Sequence, residues 1–190
     1  ELLQSESSFV LAVSLLATSV LLSLIRQMNG LLGPGVLVDM ILGRYNRPRE
    51  ESRVFLFVDL KSSTTYAEVL GHLKYSRLIQ DCLSDLTTSV RKNRAEIYKS
   101  VGDEVILSWQ LESGLENGNA IELFFDYVDT LSRRAAYFEA EYGFVPEFKA
   151  GANLGTVMVA EVGVIKREIA YHGDVLNTAA RLQGLCNQEG

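Results

Sequence analysis

Five consecutive apolar residues, Val54-Phe55-Leu56-Phe57-Val58, run directly into Asp59. So short and unbroken a run has no side to show to water, and it predicts a central strand buried on both faces. The neighbouring segments can supply the covering layers. Leu70, Leu73, Leu78, Ile79, Cys82, Leu83 and Leu86 recur near helical spacing, and Thr65 and Glu68 form a capping-box pattern at the start of that helix. Residues 95–100 and 104–109 read as two strands of a hairpin turning near Val101-Gly102-Asp103. Residues 119–142 read as a second amphipathic helix, stopped by Gly143 and Pro146. Strands then follow at 148–154, 156–162 and 168–171, with a last helix from Asp174. The expected class is α+β, in the βαββαβ order of a ferredoxin-like core.

Ahead of this lies a different kind of segment. Residues 7–25 carry no charge and place apolar side chains on every face of a helix. At 1.5 Å per residue they reach about 28 Å, close to the ~30 Å hydrocarbon core of a bilayer. Glu1 and Glu6 stand where a cleaved leader would carry positive charge. Residues 1–26 are therefore expected to be a transmembrane helix, the last of a membrane region cut short. Arg26, Arg44, Arg47, Arg49 and Arg53 follow it, so the positive-inside rule puts the rest in the cytoplasm, anchored to the lipid of the inner membrane. In residues 27–52, Asn29-Gly30 and Gly33-Pro34-Gly35 are expected to break the helix before Val36 to Leu42 resumes an apolar stretch. This segment reads as a juxtamembrane linker, and 53–190 as the globular domain. The formal net charge of −6 leaves no broad basic field, which excludes a nucleic acid as the main partner. Cys82 and Cys186 are too few for a disulfide framework.

Asp59 is out of place after five apolar residues, and Asp103 falls at the hairpin tip. A hairpin beside the first strand brings both to one edge of the sheet. Two close carboxylates repel unless a cation lies between them, and such a pair suits Mg²⁺ or Mn²⁺, which take oxygen ligands and keep substrate phosphates in their shell. Taken singly, Asp59 also reads as a helix cap and Asp103 as a turn residue. The small, hydroxyl-rich Lys61-Ser62-Ser63-Thr64-Thr65 loop leads into a helix N-terminus, whose free N–H groups and dipole favour phosphate. Asn177 and Arg181, four residues apart, share one face of the last helix.

Three stretches carry a family resemblance: Phe57-Val58-Asp59-Leu60-Lys61-Ser62-Ser63-Thr64, Lys99-Ser100-Val101-Gly102-Asp103, and Gly173-Asp174-Val175-Leu176-Asn177-Thr178-Ala179-Ala180-Arg181. In this order they resemble the class III nucleotidyl cyclases, from about residue 53 to the end. The resemblance implies conversion of a nucleoside triphosphate to a 3′,5′-cyclic monophosphate and pyrophosphate, with two metal ions in a site shared between two catalytic domains. It implies Asp59 and Asp103 as metal ligands, the Leu60 carbonyl completing the shell of two Mg²⁺ or Mn²⁺ ions. Ser62, Ser63 and Thr64 match the triphosphate loop, and Lys99 the base-selecting position. Asn177 and Arg181 match the pair that positions the ribose and stabilises charge on the α-phosphate.

An ammonium only donates, so Lys99 suits adenine N1, although guanine O6 also accepts. Ala170 stands where adenylate cyclases usually have Asp or a hydroxyl residue. Glu168, Tyr171, His172 or a backbone carbonyl remain as substitutes. The family has a further hairpin after the last helix, so 53–190 reads as C-terminally incomplete. The expected protein is a membrane-anchored adenylate cyclase acting on ATP as a homodimer. Asp59, Asp103 and the loop would come from one protomer, and Lys99, Asn177 and Arg181 from the other. A guanylate cyclase and a catalytically silent nucleotide-binding receptor module are the alternatives.

Overall fold

The computed structural model describes residues 2–32, 43, 45, 47–163 and 168–186. The apolar stretch 36–42, the Gly33-Pro34-Gly35 break and Arg44 lie outside them. The chain divides into two units, Glu1–Asn46 and Arg47–Gly190.

The first unit contains helix α1, Leu2–Leu32, which runs through Asn29-Gly30 rather than breaking there. The hydroxyls of Ser14 and Thr18 donate back to the carbonyls of Leu11 and Ser14, at 2.9 and 2.7 Å. Leu11, Leu15, Leu16 and Leu22 are exposed. Among the described residues, no helix is long and apolar enough to cross a membrane. The reading of 1–26 as a transmembrane helix is therefore corrected. The membrane-anchored type, the lipid partner and the inner-membrane placement go with it.

In the second unit, strand β1 (Arg49–Leu60) is the spine of a five-stranded antiparallel sheet. β2 (Glu96–Val101) and β3 (Glu104–Gln110) form the hairpin, and β4 (Phe148–Val162) and β5 (Glu168–His172) lie on the other side, in the order β2-β3-β1-β4-β5. Alternation along β1 sorts its side chains between two layers. Val54, Leu56, Val58 and Leu60 enter the main core with Leu78, Cys82 and Leu86 of α2 (Ser63–Lys92). Leu123, Tyr127 and Leu131 of α4 (Asn119–Arg133) and Phe138 of α5 (Ala135–Tyr142) complete it. Phe55 and Phe57 are equally buried on the opposite face. On that face α6 (Asp174–Leu185) packs over β4 and β1.

Three local expectations are corrected. The strands expected at 148–154 and 156–162 are one continuous strand of 15 residues. The helix expected over 119–142 is interrupted at Arg134, whose guanidinium reaches Asp85 of α2 at 2.5 Å. A short helix, α3 (Leu111–Leu115), precedes it. In place of a Thr65–Glu68 capping box, α2 begins after Ser62, which lies in the left-handed region at φ 54° and makes no side-chain cap. Inside α2, Gly71 at φ 71° and ψ 164° breaks the helical path, a conformation glycine adopts without a Cβ penalty.

Candidate active site

Asp59 lies one residue from the end of β1, opposite Lys149 of β4. Its Oδ2 accepts a hydrogen bond from Gln183 Nε2 of α6 at 2.8 Å and faces Lys149 Nζ at 3.1 Å. The Lys149 side chain is only 10% exposed, so this pair is largely withdrawn from water. Asp103 sits in the β2–β3 turn, and Glu104 opens β3 beside it. Burial, then Asp59 and Asp103, push the Glu104 carboxyl above its ordinary range, against the pull of Lys149. The Tyr75 hydroxyl is also raised, by burial first, then by Asp103 and Asp59, while a hydrogen bond with Ser63 opposes the shift. The two aspartates thus act on the same neighbours, at the end of the sheet where α2 begins.

The loop residues lie at that end. Ser62 occupies the N-cap of α2, its carbonyl accepting from the Tyr66 N–H at 3.0 Å. Ser62 and Thr64 are exposed and Ser63 is half-buried. The Leu60 side chain is buried opposite Phe148, and the next N–H, that of Lys61, donates to the Glu147 carbonyl at 2.8 Å. Among the described residues, no group of three or more His, Cys, Asp or Glu is arranged to hold a metal. Two carboxylates with backbone, water and phosphate oxygens still fit a hard cation such as Mg²⁺ or Mn²⁺, which rarely takes an all-protein cage.

Lys99 belongs to a second group. A flat sheet would separate its outer strands, β2 and β5, by about 19 Å at ~4.8 Å per step. Here they meet. The rings of Tyr98 and Tyr171 lie 4.8 Å apart edge-to-face, and the Tyr171 N–H donates to Tyr98 Oη at 3.4 Å. Phe55 fills the concavity beneath them, 5.3 Å from Tyr171. Arg53 spans the same face, 4.8 Å from the Tyr171 ring centroid and bonded to Glu51, Glu96 and Ser108. At the rim of this closure, Lys99 Nζ of β2 lies 3.7 Å from Glu168 Oε1 of β5. Ala170 is buried opposite Ala160.

Asn177 and Arg181 are exposed on α6, whereas Ala179 and Gln183 of the same helix are buried. Residues two apart on a helix differ by about 200° in direction. Gln183 reaches its own chain's Asp59, so Asn177 and Arg181 face away from it. Sequence reasoning brought Asp59 and Asp103 together but missed Lys149, Gln183 and Glu104. Only the placement of Lys149 directly across from Asp59 could have pointed to one of them, and that register is a tertiary fact.

No family model matches the chain. It is 35% identical over 171 residues to adenylate cyclase 2 of Rhizobium meliloti (strain 1021), covering 90% of this chain and 47% of that protein. The chain thus spans about half the length of this relative. Among solved structures, a bacterial light-regulated adenylyl cyclase superposes with a TM-score of 0.75 at 24% identity, over 93% of this chain and 52% of that one. A second structure of such an enzyme gives 0.67 at 25%, over 74% and 73%. The guanylyl cyclase Cya2 gives 0.62 at 17%, over 74% and 72%. The chain is thus similar in sequence to an adenylate cyclase and in fold to adenylyl and guanylyl cyclases, with the three motifs placed on the sheet and flanking helices of the unit that begins at Arg47.

Proposed function

We propose that the chain is an adenylate cyclase that converts ATP to 3′,5′-cyclic AMP and pyrophosphate at sites shared by two copies of itself. The observation that carries this is the divergence on α6. Asn177 and Arg181 face away from the Asp59 that Gln183 of the same helix holds. One chain therefore presents two half-sites pointing in different directions. A two-fold dimer can join them into two equivalent sites, each taking Asp59, Asp103 and Ser62–Thr64 from one protomer and Lys99, Asn177 and Arg181 from the other.

In this reading the ribose 3′-oxygen attacks the α-phosphorus, the bond from that phosphorus to the β-phosphate oxygen breaks, and pyrophosphate leaves. The 3′ proton passes to solvent. Asp59, Asp103 and the Leu60 carbonyl would hold the divalent ions, which would supply positive charge to acidify the 3′-hydroxyl and to offset the charge of the leaving pyrophosphate. Ser62, Ser63 and Thr64 orient the triphosphate at the start of α2. Asn177 fixes the ribose, and the Arg181 fork offers donors to the α-phosphate oxygens. Positioning and charge do most of the work in phosphoryl transfer, which suits a site built from aligned donors and acceptors. Lys99 reads the base by donating to adenine N1.

The test pairs product identity with complementation. Equal ATP and GTP with Mn²⁺ should give mainly cyclic AMP by mass spectrometry; mainly cyclic GMP would make the chain a guanylate cyclase. Asp59→Ala and Arg181→Ala should each lower turnover at least 10²-fold, on the scale of losing one transition-state donor. Mixed in equal amounts, half the dimers are heterodimers with one intact site each, so about a quarter of the wild-type activity should return. An inactive mixture in which heterodimers are demonstrably formed would place both sets of residues in a single chain's site.

A further inference from the structure

Ala170 leaves the proposed base-reading group with a donor, Lys99, and only a methyl where an acceptor is needed. The structure supplies an acceptor two residues earlier. We propose that Glu168 is the second base-reading side chain, its carboxylate accepting from the exocyclic amino group of adenine while Lys99 donates to N1. This rests on the adenylate cyclase reading above and deepens it.

The argument starts from the curvature of the sheet. Glu168 and Lys99 belong to opposite edge strands and approach each other because the Tyr98–Tyr171 contact and the Tyr171 N–H bond to Tyr98 Oη close the sheet beneath them. Phe55, fully buried against both rings, backs that closure. The 3.7 Å separation of Lys99 Nζ and Glu168 Oε1 is looser than a tight charge-assisted bond, and both side chains remain accessible, at 41% and 47%. An exposed pair of this kind contributes little to stability, so separating it to admit a ligand costs little. What remains is a donor beside an acceptor on a firm aromatic base. Adenine offers the complement on adjacent atoms, N1 accepting and the 6-amino group donating. Ala170, buried opposite Ala160, has no polar side-chain atom to compete.

The 6-amino group isolates the effect, so ATP is compared with purine riboside triphosphate, which lacks it. Displacement of a ribose-labelled fluorescent ATP from the dimer reads binding without turnover, and kcat/KM reads both nucleotides where turnover occurs. The wild type should favour ATP by tenfold or more, the scale of one hydrogen bond to a charged acceptor. Glu168→Ala should reduce that preference to about onefold, mainly by weakening ATP. Glu168→Gln, whose side-chain carbonyl still accepts, should keep most of it. An undiminished preference in Glu168→Ala overturns the proposal while leaving the cyclase reading intact. So does a Glu168→Ala variant that loses discrimination between GTP and inosine triphosphate instead, since that assigns Glu168 to guanine. Conversely, a wild type that shows the Glu168-dependent preference in binding but forms no cyclic product keeps the proposal and defeats the cyclase reading.

Discussion

The Cys82 thiol, sealed beneath α4, is pushed up to about 12 by burial, then by Asp85 and Asp81. It stays protonated in the folded protein well past the pH at which an unfolded chain loses its thiol proton. A raised folded-state pKa gives stability that is complete below the unfolded value, near 8.5, and declines as pH rises toward 12. Denaturant titrations should show a loss of about 1–2 kcal/mol between pH 8.5 and 10 from this group. A flat profile would mean the thiol is not sealed. At pH 8, iodoacetamide should modify exposed Cys186 in the native protein and leave Cys82 untouched until denaturant is added. Single residues also mark how far the sequence could be read. Asp59 announced itself because a carboxylate after five apolar residues needs a reason. Gln183, 124 positions away, reaches the same oxygen, and no local pattern encodes such a meeting. Glu104 looked like one more strand residue until the fold placed Asp59 and Asp103 close enough to perturb it.

Among the elements, β4 and α6 show why some boundaries were legible and others were not. Apolar periodicity located β1, the β2–β3 hairpin and α2, since each pattern has one dominant period. The sequence reads β4 as two strands, 148–154 and 156–162, with Gly155 between them. In fact a Cβ there would lie 2.8 Å from Val175 Cγ2, so the glycine admits α6 rather than ending a strand. Gly151 does the same more severely, a Cβ falling 2.2 Å from the Gln183 nitrogen and 2.4 Å from the Ala179 carbonyl oxygen. Helix and strand backbones touch there with nothing between them. Gly151→Ala should therefore lift α6, costing about 1–3 kcal/mol as overpacking does, and should lower turnover more than stability explains, because Asn177 and Arg181 ride on the displaced helix. Unchanged kcat in a folded Gly151→Ala variant would detach α6 from the chemistry. The Arg134 interruption was illegible for a different reason: the bond that anchors it joins Asp85, 49 residues earlier.

On the scale of the molecule, the likeness to cyclases was legible from three motifs, but the first helix was misjudged. Residues 7–25 are uncharged, and their length, all-round apolarity and flanking charges pointed to a membrane span; among the described residues, no helix meets the length and apolarity that crossing requires. The proposed dimer belongs to the same scale, since Asn177 and Arg181 face away from the Asp59 of their own chain. The ion pair between Lys149 and Asp59 has a consequence for the order of events in the protein's life. A cluster of acids that waits for a divalent ion would ordinarily strain the fold until the ion arrives. Here a lysine of the same chain already balances one of the acids, and Gln183 shares the task. Chelation with EDTA should then abolish cyclisation while leaving the melting temperature within about 2 °C, less than 1 kcal/mol shifts it for a unit of this size. A large drop on chelation would mean that the metal, and not Lys149, completes the fold. On the proposed mechanism, maturation and activation are thereby uncoupled: a new copy folds on its own charges, and the supply of divalent ions governs only when it works.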